Sequence, residues 1–169
     1  MFITIGGSVA DAKGIKVTID NWINNIGTAR AFSEDNDILS AINRKAWKGS
    51  ASHNSGSVSR AFDGNVSTRW DTAQVQQPGM YFQVDFGSEL TFDTLILDLG
   101  TSTSDMAAKW SVYVSDDGKN WGNAIATGER GSGLIFFDTV SARYLRIEQS
   151  GTSGGYWSIH ELYVCELPS

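Results

Sequence analysis

One cysteine, two prolines and two histidines are all that this 169-residue chain holds of those types. The lone Cys165 has no internal partner, so a disulfide framework is excluded and the redox compartment stays open. His53 and His160 provide no paired-histidine metal spacing. Neither a Gly-x-Ser-x-Gly elbow nor a phosphate-cradling glycine loop occurs. Basic charge is also scarce. Thirteen Lys and Arg against nineteen Asp and Glu leave a net charge of −6, which disfavours nucleic acid or an anionic membrane as main partner. No apolar run approaches the length that crosses a bilayer. Met1–Gly6 lacks the basic start and full apolar run of a signal peptide. The chain therefore either stays inside the cell or is a piece of a longer exported protein.

What is abundant is glycine, at eighteen residues, and aromatic side chains, at 11% with six tryptophans. That mixture predicts a turn-rich globule with enough large apolar groups to offset its ordering entropy. The length fits one domain, or one domain with an extra segment.

The composition changes near residue 45. Before it lie two short candidate strands, Phe2–Ile5 and Ile15–Ile19, and a helix expected over Ser33–Asn43. Ser33 would cap that helix, Glu34 and Asp35 suit its first turn, and Ile38, Leu39 and Ile42 share a face. This short α/β segment, residues 1–45, is too small for a core of its own. It either packs on the rest of the chain or belongs elsewhere, as a linker or the remnant of a neighbouring domain.

From residue 46 to 169 the pattern is all-β. Met80–Phe86 alternates, with Met80, Phe82, Val84 and Phe86 on one face. Phe92–Leu99, Trp110–Val114, Leu134–Phe137 and Arg143–Glu148 follow as strands, with a tight turn at Asp116–Asn120. Trp157–Val164 breaks strict alternation, because Ile159 falls on one parity and Leu162 and Val164 on the other. A bulge would reconcile them. Short, evenly spaced strands with turns between them predict a β-sandwich or jelly roll.

The most informative block is Ala61-Phe62-Asp63-Gly64-Asn65-Val66-Ser67-Thr68-Arg69-Trp70. In one reading it is a turn whose side chains bond their own backbone. In the other it is a hard-cation site, since Asp63, Thr68 and inward-turned carbonyls are all oxygen donors. An Asp/Glu pair for glycoside hydrolysis also stays open.

Taken with Ser50-Ala51-Ser52-His53, Phe82-Gln83-Val84-Asp85-Phe86-Gly87, Val112–Gly118, Ala142–Ile147 and Tyr156–Leu162, that block resembles the discoidin family, the type C domain of coagulation factors five and eight. It looks most like the bacterial carbohydrate-binding module family 32, often appended to glycoside hydrolases. The resemblance covers roughly residues 46–166. It implies a galactose-binding-domain-like jelly roll that binds glycan or polysaccharide without catalysis. The setting it implies is a longer bacterial protein, extracellular, periplasmic or on the cell surface, with a tethered catalytic domain. It also implies a structural calcium held by the carbonyls of Ala61 and Asn65 and by Asp63, Thr68 and Glu161.

The sugar site of such modules lies on loops at one end of the sandwich, where an aromatic face meets the C–H side of a sugar ring and planar polar groups bond hydroxyls. The candidates here are His53 and Asn54, then Asp71, Gln74, Gln76 and Gln77, then Asp105, then Tyr156 and Trp157. Trp70, Trp110 and Trp121 read as core or hairpin-packing residues, and His160 as structural. Galactose-binding members carry a histidine and an aromatic where this chain has Asp71 and Gln74, and an arginine near Ser104 and Asp105. An extended glycan with few anchor contacts suits the present loops. Two other roles remain open: adhesion to protein or lipid headgroups, for which Val75, Met80 and Met106 are the aliphatic candidates, and a structural accessory role beside an enzyme.

Overall fold

The structure, a computed structural model, describes residues 2–5, 8–11, 17–18, 30–32, 38–130 and 133–166. The first strands, β1 (Phe2–Ile5), β2 (Ser8–Asp11) and β3 (Val17–Thr18), form a small sheet of their own. Next come β4 (Arg30–Phe32), β5 (Ile38–Ala41) and β6 (Lys48–Ala51), then a 3-10 helix over Ser55–Ala61 and β7 (Trp70–Asp71). β8 (Met80–Asp98), β9 (Trp110–Ser115), β10 (Ala126–Gly128), β11 (Leu134–Gln149), β12 (Ser158–Ile159) and β13 (Glu161–Glu166) complete the chain.

The frame is the long antiparallel ladder of β8 and β11. Fully extended, the 19 residues of β8 would span about 60 Å. Yet Gln76, just before it, hydrogen-bonds to the carbonyl of Met106, just after it. The ladder therefore folds back on itself at its middle. Gly87 takes φ +86° there, and the register shifts between Phe136 and Val140 and again between Ala142 and Tyr144. Such irregularities bend and twist a strand pair. The first half of β8 pairs with β6 and the second with β13, which carries β5 and β4 outward, while β11 carries β9 and β10. One folded sheet thus makes both layers of an all-β sandwich.

The core fills the fold. Trp70, Trp157, Phe82, Phe86 and Phe92 are fully buried. Trp70 meets Trp157 edge-on at 5.0 Å and Phe82 at 4.9 Å, and Phe86 meets Phe92 at 5.6 Å. In Met80–Phe86 burial alternates as the sequence predicts, whereas Phe92–Asp98 is buried on both faces.

Two expectations need correction. The helix over Ser33–Asn43 is not formed at Ile38–Ala41, which is a strand paired with Arg30–Phe32 and with Cys165–Glu166. Residues 33–37 lie outside the described residues. The edge of β13 provides hydrogen-bond partners that local periodicity cannot foresee. At the C-terminus the parity break is a change of partner at His160. Ser158–Ile159 pairs with β7, and Glu161 onward pairs with β8.

Candidate functional site

Because the central ladder folds over, the loops at its two ends meet. Gln76 ties them together. It is 2% exposed, and its side-chain amide donates to the carbonyls of Met106 (3.1 Å) and Tyr156 (2.9 Å). Its Oε1 accepts the N–H of Ala108 at 2.8 Å. Both amide hydrogens and the carbonyl are thereby used in joining three loops. Thr72 reinforces the junction: its N–H bonds the Trp157 carbonyl, and its hydroxyl accepts the Trp157 N–H and donates to the Gln74 carbonyl. Gln149, fully buried, bonds both the N–H and the carbonyl of Gly151.

On this platform Tyr156 is 41% exposed, with its carbonyl fixed and its ring outward. Gln74 and Asn54 are exposed, and His53, Asp71 and Asp105 half-buried. The Asn54 amide reaches the Asp71 carbonyl at 3.0 Å, and the His53 ring Nδ1 lies 2.9 Å from the Ser52 hydroxyl. Arg69, missed as a site residue, joins the set: it pairs with Asp71 (3.1 Å) and Asp105 (3.9 Å) and donates to the Ser102 hydroxyl. Ser102 in turn meets His160, which is buried and also bonded to the Val66 carbonyl.

Trp157, Gln76, Met80 and Met106 are placed out of a ligand's reach. Trp157 is fully buried against Trp70. Gln76 is a buried brace, since the loops it joins use all its hydrogen bonds. Gln77 is exposed on its loop. Of the three aliphatic candidates, Met80 and Met106 are buried and Val75 is 44% exposed.

The Asp63 turn gathers as its residue types imply. Gly64 takes φ +82°. Asp63 accepts the Asn65 N–H and the Thr68 hydroxyl, each at 2.8 Å, and that hydroxyl also lies 2.9 Å from the Asn65 carbonyl. Glu161, fully buried, accepts the N–H groups of Gly64 (2.8 Å) and Asn65 (3.0 Å). Its other oxygen pairs with Arg44, a residue from outside every sequence motif. Burial pushes the Glu161 carboxyl up to about 7, with Arg44 opposing and the neighbouring Asp63 adding to the rise. Arg44 also stacks over Tyr163 at 4.4 Å.

Asp63, Thr68, Glu161 and the Asn65 carbonyl offer only oxygen, which fits a hard cation in kind. Ala61 is buried at the start of the turn. Among the described residues no group of three His, Cys, Asp or Glu side chains gathers, so any such cation would rely on carbonyl and hydroxyl oxygens as well.

Comparison with known proteins places this geometry. The F5/8 type C domain profile matches residues 45–162. The fold is similar to the family 32 carbohydrate-binding module of C. perfringens NanJ, solved with galactose. That likeness has TM-score 0.63 and 25% identity and covers 76% of this chain and all of the other. It is also similar to a chitosan-binding module from a Paenibacillus sp. IK-5 chitosanase/glucanase, with TM-score 0.60, 27% identity and coverage of 72% and 96%. The family 32 module of AlyQ, solved with 4,5-unsaturated mannuronic acid, shares the fold at TM-score 0.58 and 23% identity, covering 73% of this chain and 96% of that one. No curated protein matches the chain.

Proposed function

The chain belongs to the F5/8 type C domain family, and on that premise we propose that it is a non-catalytic carbohydrate-binding module. The observation that carries this reading is Tyr156, a large ring held outward on a loop that buried Gln76 fixes to two others. A pre-ordered aromatic face loses little conformational freedom when a sugar ring stacks on it. Asn54, Asp71, Gln74, Asp105 and Arg69, on the loops at the same end, add groups able to bond hydroxyls. Modules with 25–27% identity are described with galactose and as chitosan-binding, which supports a glycan as ligand.

The mechanism is proximity. A weak site tethered to another domain raises that domain's effective concentration at a glycan surface. The similar Paenibacillus module derives from a chitosanase/glucanase, which supports an enzyme as the tethered partner. In this reading the parent is a longer bacterial protein outside the cytoplasm. Arg30–Phe32 and Ile38–Ala41 extend the sandwich sheet at the edge of β13, so that part of residues 1–45 would belong to the module, and the segment before it would be a linker or the remnant of a neighbouring domain.

Calcium is part of the same reading. Asp63, Thr68, Glu161 and the carbonyls of Ala61 and Asn65 would hold it. The ion would supply positive charge between two neighbouring carboxylates, a role that Arg44 shares. What supports it is the all-oxygen donor set around a fully buried glutamate. A ligand that binds only the folded state raises the melting temperature. Calcium should do so here and chelation should reverse it; identical melting curves in both conditions would contradict the ion. The glycan reading is tested on an array of neutral and acidic glycans. Discrete binding by the isolated protein is expected, and release of reducing sugar would contradict the non-catalytic assignment.

A further inference from the structure

Beside the Tyr156 loop lies a cleft of about 410 Å³ lined by Ala108, Lys109, Arg130, Ser150, Gly151 and Thr152. Its lining holds two cations and no carboxylate. We infer that this cleft is an anion subsite of the glycan-binding face, taking the carboxylate or sulfate of an acidic sugar. The inference rests on the carbohydrate-binding reading and narrows its ligand class.

Arg130 carries the argument. Its backbone is fixed: the N–H bonds the carbonyls of Ala107 and Ala108 at 3.2 Å each, and the carbonyl accepts the Trp110 indole N–H at 2.8 Å. It sits at φ +47°, a left-handed conformation that costs a non-glycine residue free energy and gathers at functional positions. Its guanidinium, by contrast, is committed to little. It makes a 3.4 Å contact with the Ser153 hydroxyl, and among the described residues no carboxylate lies within ion-pair distance of it. A planar fork of donors on a pinned backbone suits two-point binding of a carboxylate or sulfate.

Lys109 is the second cation. It pairs with Glu129 at 2.9 Å, but the two side chains are 57% and 70% exposed. Such pairs hold weakly and rearrange at little cost. The floor is built in advance, since Gln76 holds Ala108 and Gln149 holds Gly151. A Cβ on Gly151 would come to 3.0 Å from the Ala108 Cβ and the Lys109 backbone nitrogen, so the loops approach closely here and a side chain would push them apart by a few tenths of an ångström. Ser153 touches Arg130 and bridges Gln76, which makes the cleft continuous with the loop that presents Tyr156. The overall charge of −6 repels a polyanion at long range, so the subsite would act at contact distance and not by steering.

The test titrates the folded protein with neutral galacto- and chito-oligosaccharides, with oligouronates and with sulfated oligosaccharides, using wild type, Arg130→Gln and Lys109→Gln. The expected result is preferred binding of an acidic series, lowered about tenfold by Arg130→Gln with neutral binding unchanged. Whether uronate or sulfate is preferred identifies the source of the anion. Binding of neutral glycans with no acidic preference and no effect of either variant would overturn the subsite and leave the carbohydrate reading standing. Failure of folded wild type to bind any glycan would overturn both. Lys109→Gln keeps the test decisive if Arg130→Gln lowers the melting temperature.

Discussion

The Asp63–Thr68 turn and the Lys109–Arg130 cleft are both polar, and they differ in what their charges face. In the turn the carboxylates are satisfied from within: Glu161 meets two backbone N–H groups and Arg44, while Asp63 meets Asn65 and Thr68. In the cleft Lys109 has only an exposed partner, Glu129, and Arg130 only the Ser153 hydroxyl among the described residues. Buried polar groups without partners are expensive, so internal pairing is how a loop is built. Exposed polar groups on a pinned backbone leave hydrogen-bonding capacity for a ligand. The loop junction at Gln76 belongs with the turn, and Tyr156 with the cleft.

Substitutions separate the internally paired turn from the open cleft. The largest effect is expected from Glu161→Ala, which strands Arg44 and two N–H groups. In calcium-free buffer it should lower unfolding stability by about 3–5 kcal/mol, measured by urea denaturation. A cost below about 1 kcal/mol would place the turn among ordinary exposed ion pairs. Gln76→Ala should cost about 2–3 kcal/mol and weaken glycan binding as well, because three loops lose their common brace. Unchanged stability would contradict its structural role.

The smallest effect is expected at the half-buried surface pair Asp85–Arg143, 2.8 Å apart. The Arg143 hydrogen bond holds the Asp85 carboxyl below its ordinary 3.8. A lowered folded value stabilises above the unfolded value and is lost as pH falls. Asp85→Asn should therefore cost less than about 1 kcal/mol near neutral pH. Its difference from wild type should shrink as pH drops below about 3.8, which melting curves across pH would show.

Much of the fold was legible because half-buried strands announce themselves through alternation, as Met80–Phe86 does. Phe92–Asp98 is buried on both faces and has no such period, yet its apolar run still reads as a strand. What local pattern could not convey was that β8 is continuous through Gly87, or that Ile38–Ala41 would join the edge of β13. Both depend on partners distant in sequence. The site was legible in part for the same reason. The Asp-Gly turn and Tyr156 stand in motifs that carry their chemistry, so the sequence singles them out as candidates. Trp157 adjoins Tyr156, and burial runs unbroken from Trp157 to Cys165, so no local alternation tells that one ring is exposed and the other buried. Arg44 and Arg130 lie outside those motifs, and the folded ladder alone brings them to the polar clusters.

The most direct measurement is a glycan titration of the isolated protein beside Tyr156→Ala, with a melting curve for each. Saturable binding by wild type is expected, lowered about tenfold or more by Tyr156→Ala, with melting temperatures that agree because the ring is exposed. A folded wild type that binds no glycan, or a Tyr156→Ala variant that binds as tightly, would contradict the carbohydrate-binding reading.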